Sequence, residues 1–199
     1  MVTYSKTDSA AGNCLSDTRM GYNYKTFVSE EQYFMVLKTL QRLRECDFFW
    51  STMTGKQASV LLSPHMPGTF LVRESSDNQH LFTLSVKTQT GTKNLRIQCD
   101  EKSFFLQTDP KNVEHVPHFD CVLKLINYYI RQRNSSTVYY IRAGGERIPL
   151  ELIKPLYLSM SSLQHLCRKK INKDLDISSQ RDQLPSTVQD YLNKYDVDI

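Results

Sequence analysis

The 199-residue sequence predicts an α+β fold: a central antiparallel sheet flanked by two helices, with a further helix ahead of it and an all-α segment behind. Three observations carry this prediction. An amphipathic helix with a capped start comes first, alternating apolar residues then mark a run of strands, and helical spacing returns from Phe119 to Arg131. Helix, strands and helix in that order describe a sheet with one helix on each face.

Residues 1–23 are polar, small and aperiodic, and are expected to be disordered. Ser29-Glu30-Glu31-Gln32 reads as a capping box opening a helix over 30–45, with Val28 and Tyr33 placed as its hydrophobic staple. Tyr33, Val36, Leu37, Leu40 and Leu43 form the face this helix must bury, and Phe34 is read as core beside Tyr33. Phe48-Phe49-Trp50 is strand-like, and Gly55 to Ser63 a short helix with Ala58, Leu61 and Leu62 inward, stopped by Pro64 and Pro67. Phe70-Leu71-Val72 is an unbroken apolar run, as expected of a strand covered on both faces. Phe82, Leu84 and Val86 alternate, Gly91 lies in a turn, and Leu95, Ile97 and Cys99 alternate again: a β-hairpin. Phe104 to Leu106 is a further short strand, and a second hairpin turns at Gly144-Gly145. After Pro155 the pattern is helical. Leu163, Leu166, Cys167 and Ile171 share one face, Arg168, Lys169, Lys170 and Lys173 the other, and Ser186 and Gln189 read as a second capping box.

Composition narrows the class. The chain carries 25 basic and 21 acidic residues, a net charge of +4, which is too mild for a nucleic-acid stripe. No apolar run is long enough to cross a bilayer, and the first residues lack a signal-peptide core. Five widely spaced cysteines fit reduced thiols, so the chain is expected to be cytoplasmic, without membrane insertion. His115, His118 and Cys121 lie close enough to suggest a metal cluster, but Pro117 interrupts any helix through them, and no cofactor is expected. No Ser/His/Asp or Cys/His pair has supporting context, so an enzyme is not expected.

The chemistry concentrates at Arg73. Side chains alternate along a strand, so Arg73 shares a face with Leu71 while Glu74 points away. A guanidinium ending a buried strand needs an anion, and Ser75 and Ser76 add donors beside it; a phosphate fits, and so does a distant carboxylate. Phe27, in a polar arm, is either an unburied anchor or a staple for the next helix. Alone, the apolar stripe from Leu163 is a helix covering a core, and its basic face is solvated.

Phe70-Leu71-Val72-Arg73-Glu74-Ser75 resembles the phosphotyrosine-binding signature of Src-homology-2 domains, and the order of elements from Phe48 to Leu152 resembles that fold. The resemblance implies that Arg73, Ser75, Ser76 and Arg96 bind phosphotyrosine, with His80 near the pocket entrance. Ser162-Leu163 to Cys167 and Leu184-Pro185 resemble a SOCS box, in which Leu163, Leu166 and Cys167 would engage elongin C and Leu184 and Pro185 a cullin. Members often carry a second proline soon after that pair; here Ser186-Thr187 follows.

Together these parts resemble the suppressor of cytokine signalling family. The implied layout is a kinase inhibitory region over 24–29, an extended N-terminal helix over 30–45, a Src-homology-2 domain over 46–153 and a SOCS box over 154–199. Tyr24, Lys25, Thr26 and Phe27 would then occupy a Janus kinase as a pseudosubstrate. The implied partners are phosphotyrosine-bearing cytokine receptors, Janus kinases, elongins B and C, and cullin 5. The implied role is a non-catalytic negative regulator of JAK-STAT signalling that serves a ubiquitin ligase as its substrate receptor. The competing reading is an adaptor that acts only by occupying docking sites.

Overall fold

A computed structural model describes residues 27–108, 115–132, 139–143, 146–174, 183–195, 197 and 199. Tyr24, Lys25 and Thr26, the segment 1–23 and the Gly144-Gly145 turn lie outside these residues. The elements in order are α1 (Glu30–Glu45), β1 (Phe49–Trp50), α2 (Gly55–Leu62), β2 (Thr69–Glu74), β3 (Phe82–Thr88), β4 (Gly91–Cys99), β5 (Phe104–Leu106), α3 (Val122–Arg131), β6 (Tyr140–Ala143), β7 (Glu146–Pro149), β8 (Lys154–Pro155), α4 (Leu163–Asp174) and α5 (Ser186–Asn193).

Strands β2 to β5 form an antiparallel sheet in chain order, and β6 pairs with β7 in a separate hairpin. On the edge beyond β2, β1 and β8 pair with it in parallel, at Val72–Arg73 and Thr69–Phe70 respectively. These two short strands are additions to the antiparallel core, and β8 puts the first two residues of the 154–199 segment, expected to be all-α, into the sheet. The β3–β4 hairpin closes with Thr88 opposite Gly91, whose φ of 111° is a left-handed value that only glycine adopts cheaply.

Period-2 alternation sorts the sheet residues into two layers. Phe70, Val72, Phe82, Leu84, Val86, Ile97 and Leu106 join Val122, Leu123 and Ile126 of α3 and Val36, Leu40 and Leu43 of α1 in the main core. On the opposite face Leu71 packs with Ala58 and Leu62 of α2 in a smaller cluster. Helix α3 begins at Val122 rather than Phe119, because Phe119 exchanges both backbone hydrogen bonds with Phe104 as an added bridge.

Helix α1 follows the expected start with its register shifted. Ser29 Oγ accepts from Gln32 N–H at 3.1 Å, but the Gln32 side-chain oxygen accepts from Val28 N–H instead of Ser29. The Gln32 amide then donates to the carbonyls of Cys99 and Asp100 at the end of β4. This pairing draws Gln32 inward and turns the buried stripe to Gln32, Val36, Thr39, Leu40 and Leu43. Tyr33, Phe34 and Leu37 are exposed, contrary to their reading as core. Val28 is exposed too, and the staple is formed by Phe27, whose ring meets Tyr33 edge-on at 5.2 Å.

The C-terminal segment departs most from expectation. Helix α4 buries His165 and Arg168 and exposes Leu163, Leu166, Cys167 and Ile171. An ion pair explains the inversion: Arg168 Nη1 reaches Glu45 Oε2 at 2.6 Å, and its guanidinium lies over the rings of Tyr191 and Tyr195. Arg168 also donates to His165 Nδ1, so the neutral imidazole is favoured; burial first, then the charges of Arg168 and Lys169, lowers the His165 pKa. Ser162 caps α4 by accepting from His165 N–H at 3.1 Å. The expected box at Ser186 and Gln189 does not form. Pro185 takes the cap position without a side-chain bond, and Gln189 donates to the Leu184 carbonyl. Tyr195, Val197 and Ile199 are buried in the main core, and Arg42 donates to the Asn193 carbonyl, tying α1 to the chain end.

Candidate functional site

Arg73 lies near the end of β2, on the Leu71 face, and is 3% exposed. Its Nε donates to Ser85 Oγ at 3.1 Å, its Nη1 to the carbonyls of Glu74 and Met53 at 3.0 and 3.4 Å, and its Nη2 to Asn94 Oδ1 at 3.3 Å. Ser85 also donates to Asn94 Oδ1, at 2.7 Å. Every acceptor is neutral, and Arg73 has no ion pair among the described residues. Burial lowers its pKa, while the Asp77 carboxylate pulls it back up. A side chain that stays charged at any ordinary pH is thus held without a contacting counter-charge.

Two local features make this possible. The β2–β3 register sets Ser85 opposite Leu71, and the β3–β4 register sets Asn94 opposite Ser85, so both polar side chains share the Arg73 face. Helix α2 starts beside the guanidinium at Gly55, where a Cβ would stand 3.2 Å from Arg73 Nη2. A larger residue there would crowd the fork. Thr54 caps this helix in a complete capping box with Gln57, fixing its N-terminus.

Arg96 stands opposite Thr83, which stands opposite Arg73, so both arginines occupy one face two strands apart. Arg96 is half exposed, and its Nε donates to Asp77 Oδ2 at 2.8 Å. Asp77 organises the β2–β3 loop: it accepts from Ser75 Oγ and from the backbone N–H groups of Gln79 and His80, and contacts His80 Nδ1 at 2.9 Å. Burial opposes its charge, but the bonds from His80, Arg96 and the backbone prevail and hold the carboxyl well below the usual carboxylate range. Ser76 is exposed on the same loop. Arg73, Ser75, Arg96 and His80 are therefore brought together. Ser85, Asn94, Thr83 and Asp77 complete the site and were missed from sequence, although Thr83 and Ser85 alternate with the apolar residues of β3.

Beyond Arg96 a cleft of about 640 Å³ runs between Leu95, Leu106, Tyr129, Tyr139, Ile141 and Leu150. Gln107, Thr108 and Val116 also border it, which puts the ends of the 107–118 loop at its rim. Among the described residues no group of His, Cys, Asp and Glu could hold a metal; His118 stacks on Phe105 and pairs with Ser103 and Asp100.

The other expected contact residues lie apart. Leu163, Leu166 and Cys167 form an exposed strip on α4, Leu163 being 77% exposed. Leu184 is half-buried and Pro185 exposed ahead of α5. Phe27 is half-buried beside the exposed Tyr33, Phe34 and Val28.

A six-strand sheet between α2 and α3, with a buried strand arginine on the α2 side, defines the class, and the SH2 domain family model matches residues 48–129. The chain is 48% identical to chicken (Gallus gallus) suppressor of cytokine signaling 3 and 42% identical to the human protein of that name, each alignment covering 98% of this chain and 99% of the relative. It is 37% identical to human suppressor of cytokine signaling 2, over 79% of each chain. The chain belongs to the suppressor of cytokine signalling family.

Proposed function

We propose that this chain docks on tyrosine-phosphorylated cytokine receptors through Arg73, inhibits a Janus kinase through 24–29, and recruits elongins B and C with cullin 5 through its C-terminal helices. It works in the cytoplasm as a non-catalytic negative regulator and ligase substrate receptor. The observation that carries the docking step is the buried Arg73 guanidinium, held among the described residues by neutral acceptors alone. Nearly all buried charges in proteins are paired, and a phosphate dianion is the partner that a planar fork beside a donor-rich loop suits. The cleft past Arg96, lined by apolar and polar side chains together, provides a trough for the peptide that follows the phosphotyrosine. Titration with one receptor peptide in phosphorylated and unphosphorylated forms tests this. Saturable binding of the phosphorylated form alone is expected; equal binding of both removes the proposal.

Recruitment rests on α4. A helix that merely capped a core would bury its apolar stripe, whereas this one exposes it and buries His165 and Arg168. Four-residue spacing puts Leu163 and Cys167 on one face, as a groove-binding helix requires. The burial of Tyr195, Val197 and Ile199 favours the second reading, an adaptor whose tail is a structural cap. The two readings share those residues and part at Leu163.

Inhibition rests on Phe27 and the exposed aromatic surface beside it. Phe27→Ala is expected to weaken kinase inhibition at least tenfold while phosphopeptide affinity stays within twofold. The Phe27–Tyr33 contact is worth about 0.5–1.5 kcal/mol beyond the area it buries, too little to unfold the domain. Loss of both activities together would show that the ring only holds the fold.

A further inference from the structure

We infer that Asp77 is an internal counter-ion of the anion pocket, a specificity-determining residue that occupies Arg96 and lowers affinity for a doubly charged ligand. The inference rests on the phosphotyrosine reading of the Arg73 pocket. Asp77 sits on the loop joining β2 to β3, and its carboxylate binds Arg96 Nε at 2.8 Å while accepting from Ser75 Oγ at 3.1 Å. Arg73 and Arg96 share one sheet face across Thr83, two strand spacings or about 10 Å apart. An anion bridging them must share Arg96 and Ser75 with Asp77.

Two roles for Asp77 predict opposite signs. As an orienting residue it fixes the Arg96 guanidinium through Nε, leaving the Nη edge toward a ligand, and its loss would weaken binding. As a counter-ion it repels the ligand and holds a cation the ligand needs, so its loss would tighten binding. Arg96 is half exposed and bound through one nitrogen, so the ordering that Asp77 supplies is small. A fixed charge facing a dianion across one side chain is the larger effect, because Coulomb energy scales with the product of charges. The same scaling separates the roles. Repulsion changes the logarithm of affinity twice as much for a dianion as for a monoanion, whereas orientation changes both alike.

Asp77→Asn removes the charge and keeps an oxygen to accept from Gln79 and His80 N–H. Asp77→Ser is the second variant, with a hydroxyl to accept from the same turn. The probes are one receptor peptide bearing phosphotyrosine, sulfotyrosine or tyrosine, titrated calorimetrically against the full chain. The expected result is about tenfold tighter phosphopeptide binding, about threefold tighter sulfopeptide binding and no gain for the unmodified peptide, with the gains shrinking in high salt. Unchanged or weaker phosphopeptide binding in both variants, or equal gains for the two anions, overturns the counter-ion role while the pocket stands. Failure of the parent chain to prefer the phosphopeptide overturns the pocket itself, and this inference with it.

Discussion

An Arg73→Lys variant is expected to bind a phosphotyrosine peptide at least a hundredfold more weakly than the parent chain, with its circular-dichroism spectrum unchanged. Lysine keeps the positive charge, so the effect comes from geometry. The guanidinium is aligned by Ser85 through Nε and by the Glu74 carbonyl and Asn94 through its Nη nitrogens, which fixes the plane of the fork. An ammonium has three donors on a rotating tip and cannot meet two phosphate oxygens in that plane while also satisfying Ser85 and Asn94. Each charge-assisted bond contributes about 1.5–3 kcal/mol, so loss of two corresponds to a factor of about a hundred or more. Calorimetric titration measures it. Unchanged affinity would mean that Arg73 is structural and that the phosphate, if bound, lies elsewhere.

The second large effect belongs to the other end of the molecule. Leu163→Asp is expected to abolish co-purification with elongins B and C while shifting the stability of the chain by less than about 0.5 kcal/mol. Leu163 is 77% exposed, so the chain's own core loses almost nothing with it. A carboxylate in an apolar groove, by contrast, would be buried without a partner. Aspartate also suits the first turn of α4, where the helix dipole is positive, so the helix survives. Proline at this position is a poorer test. Leu163 is the first residue of α4, where proline is tolerated, and retained binding would then be ambiguous. Retention of elongin by Leu163→Asp would leave the tail as a cap and favour an adaptor acting by competition alone.

The sheet was legible in the sequence by three signals: the unbroken apolar run of β2, which is buried on both faces, the period-2 alternation of β3 and β4, and the glycine turn between β6 and β7. The helices were legible in extent and less so in orientation, since long-range polar contacts rotate them. Gln32 turns α1 by reaching carbonyls 67 and 68 residues away, and Arg168 turns α4 by reaching Glu45 over 123 residues. Local periodicity carries no information about such pairs. The anion pocket was half legible. Arg73 and Arg96 stand out as charges among apolar residues, whereas Ser85 and Asn94 look like ordinary solvent-facing strand residues until the register puts them opposite one another. Asp77 was hidden for another reason: its role comes from the fold of a loop, which alternation does not describe.

The seating of Tyr195, Val197 and Ile199 beside α1 and α3 bears on how this molecule can be dissected. Truncation after Leu152 would strip β8 from the edge of β2, leave Glu45 without Arg168, and uncover apolar side chains of the phosphopeptide-binding half. A shortened chain that failed to bind a receptor would therefore report a damaged scaffold, with no bearing on whether ligase recruitment matters. The receptor-facing half and the helices proposed to recruit a ligase share one hydrophobic interior, and surface point substitutions can part them where deletion cannot.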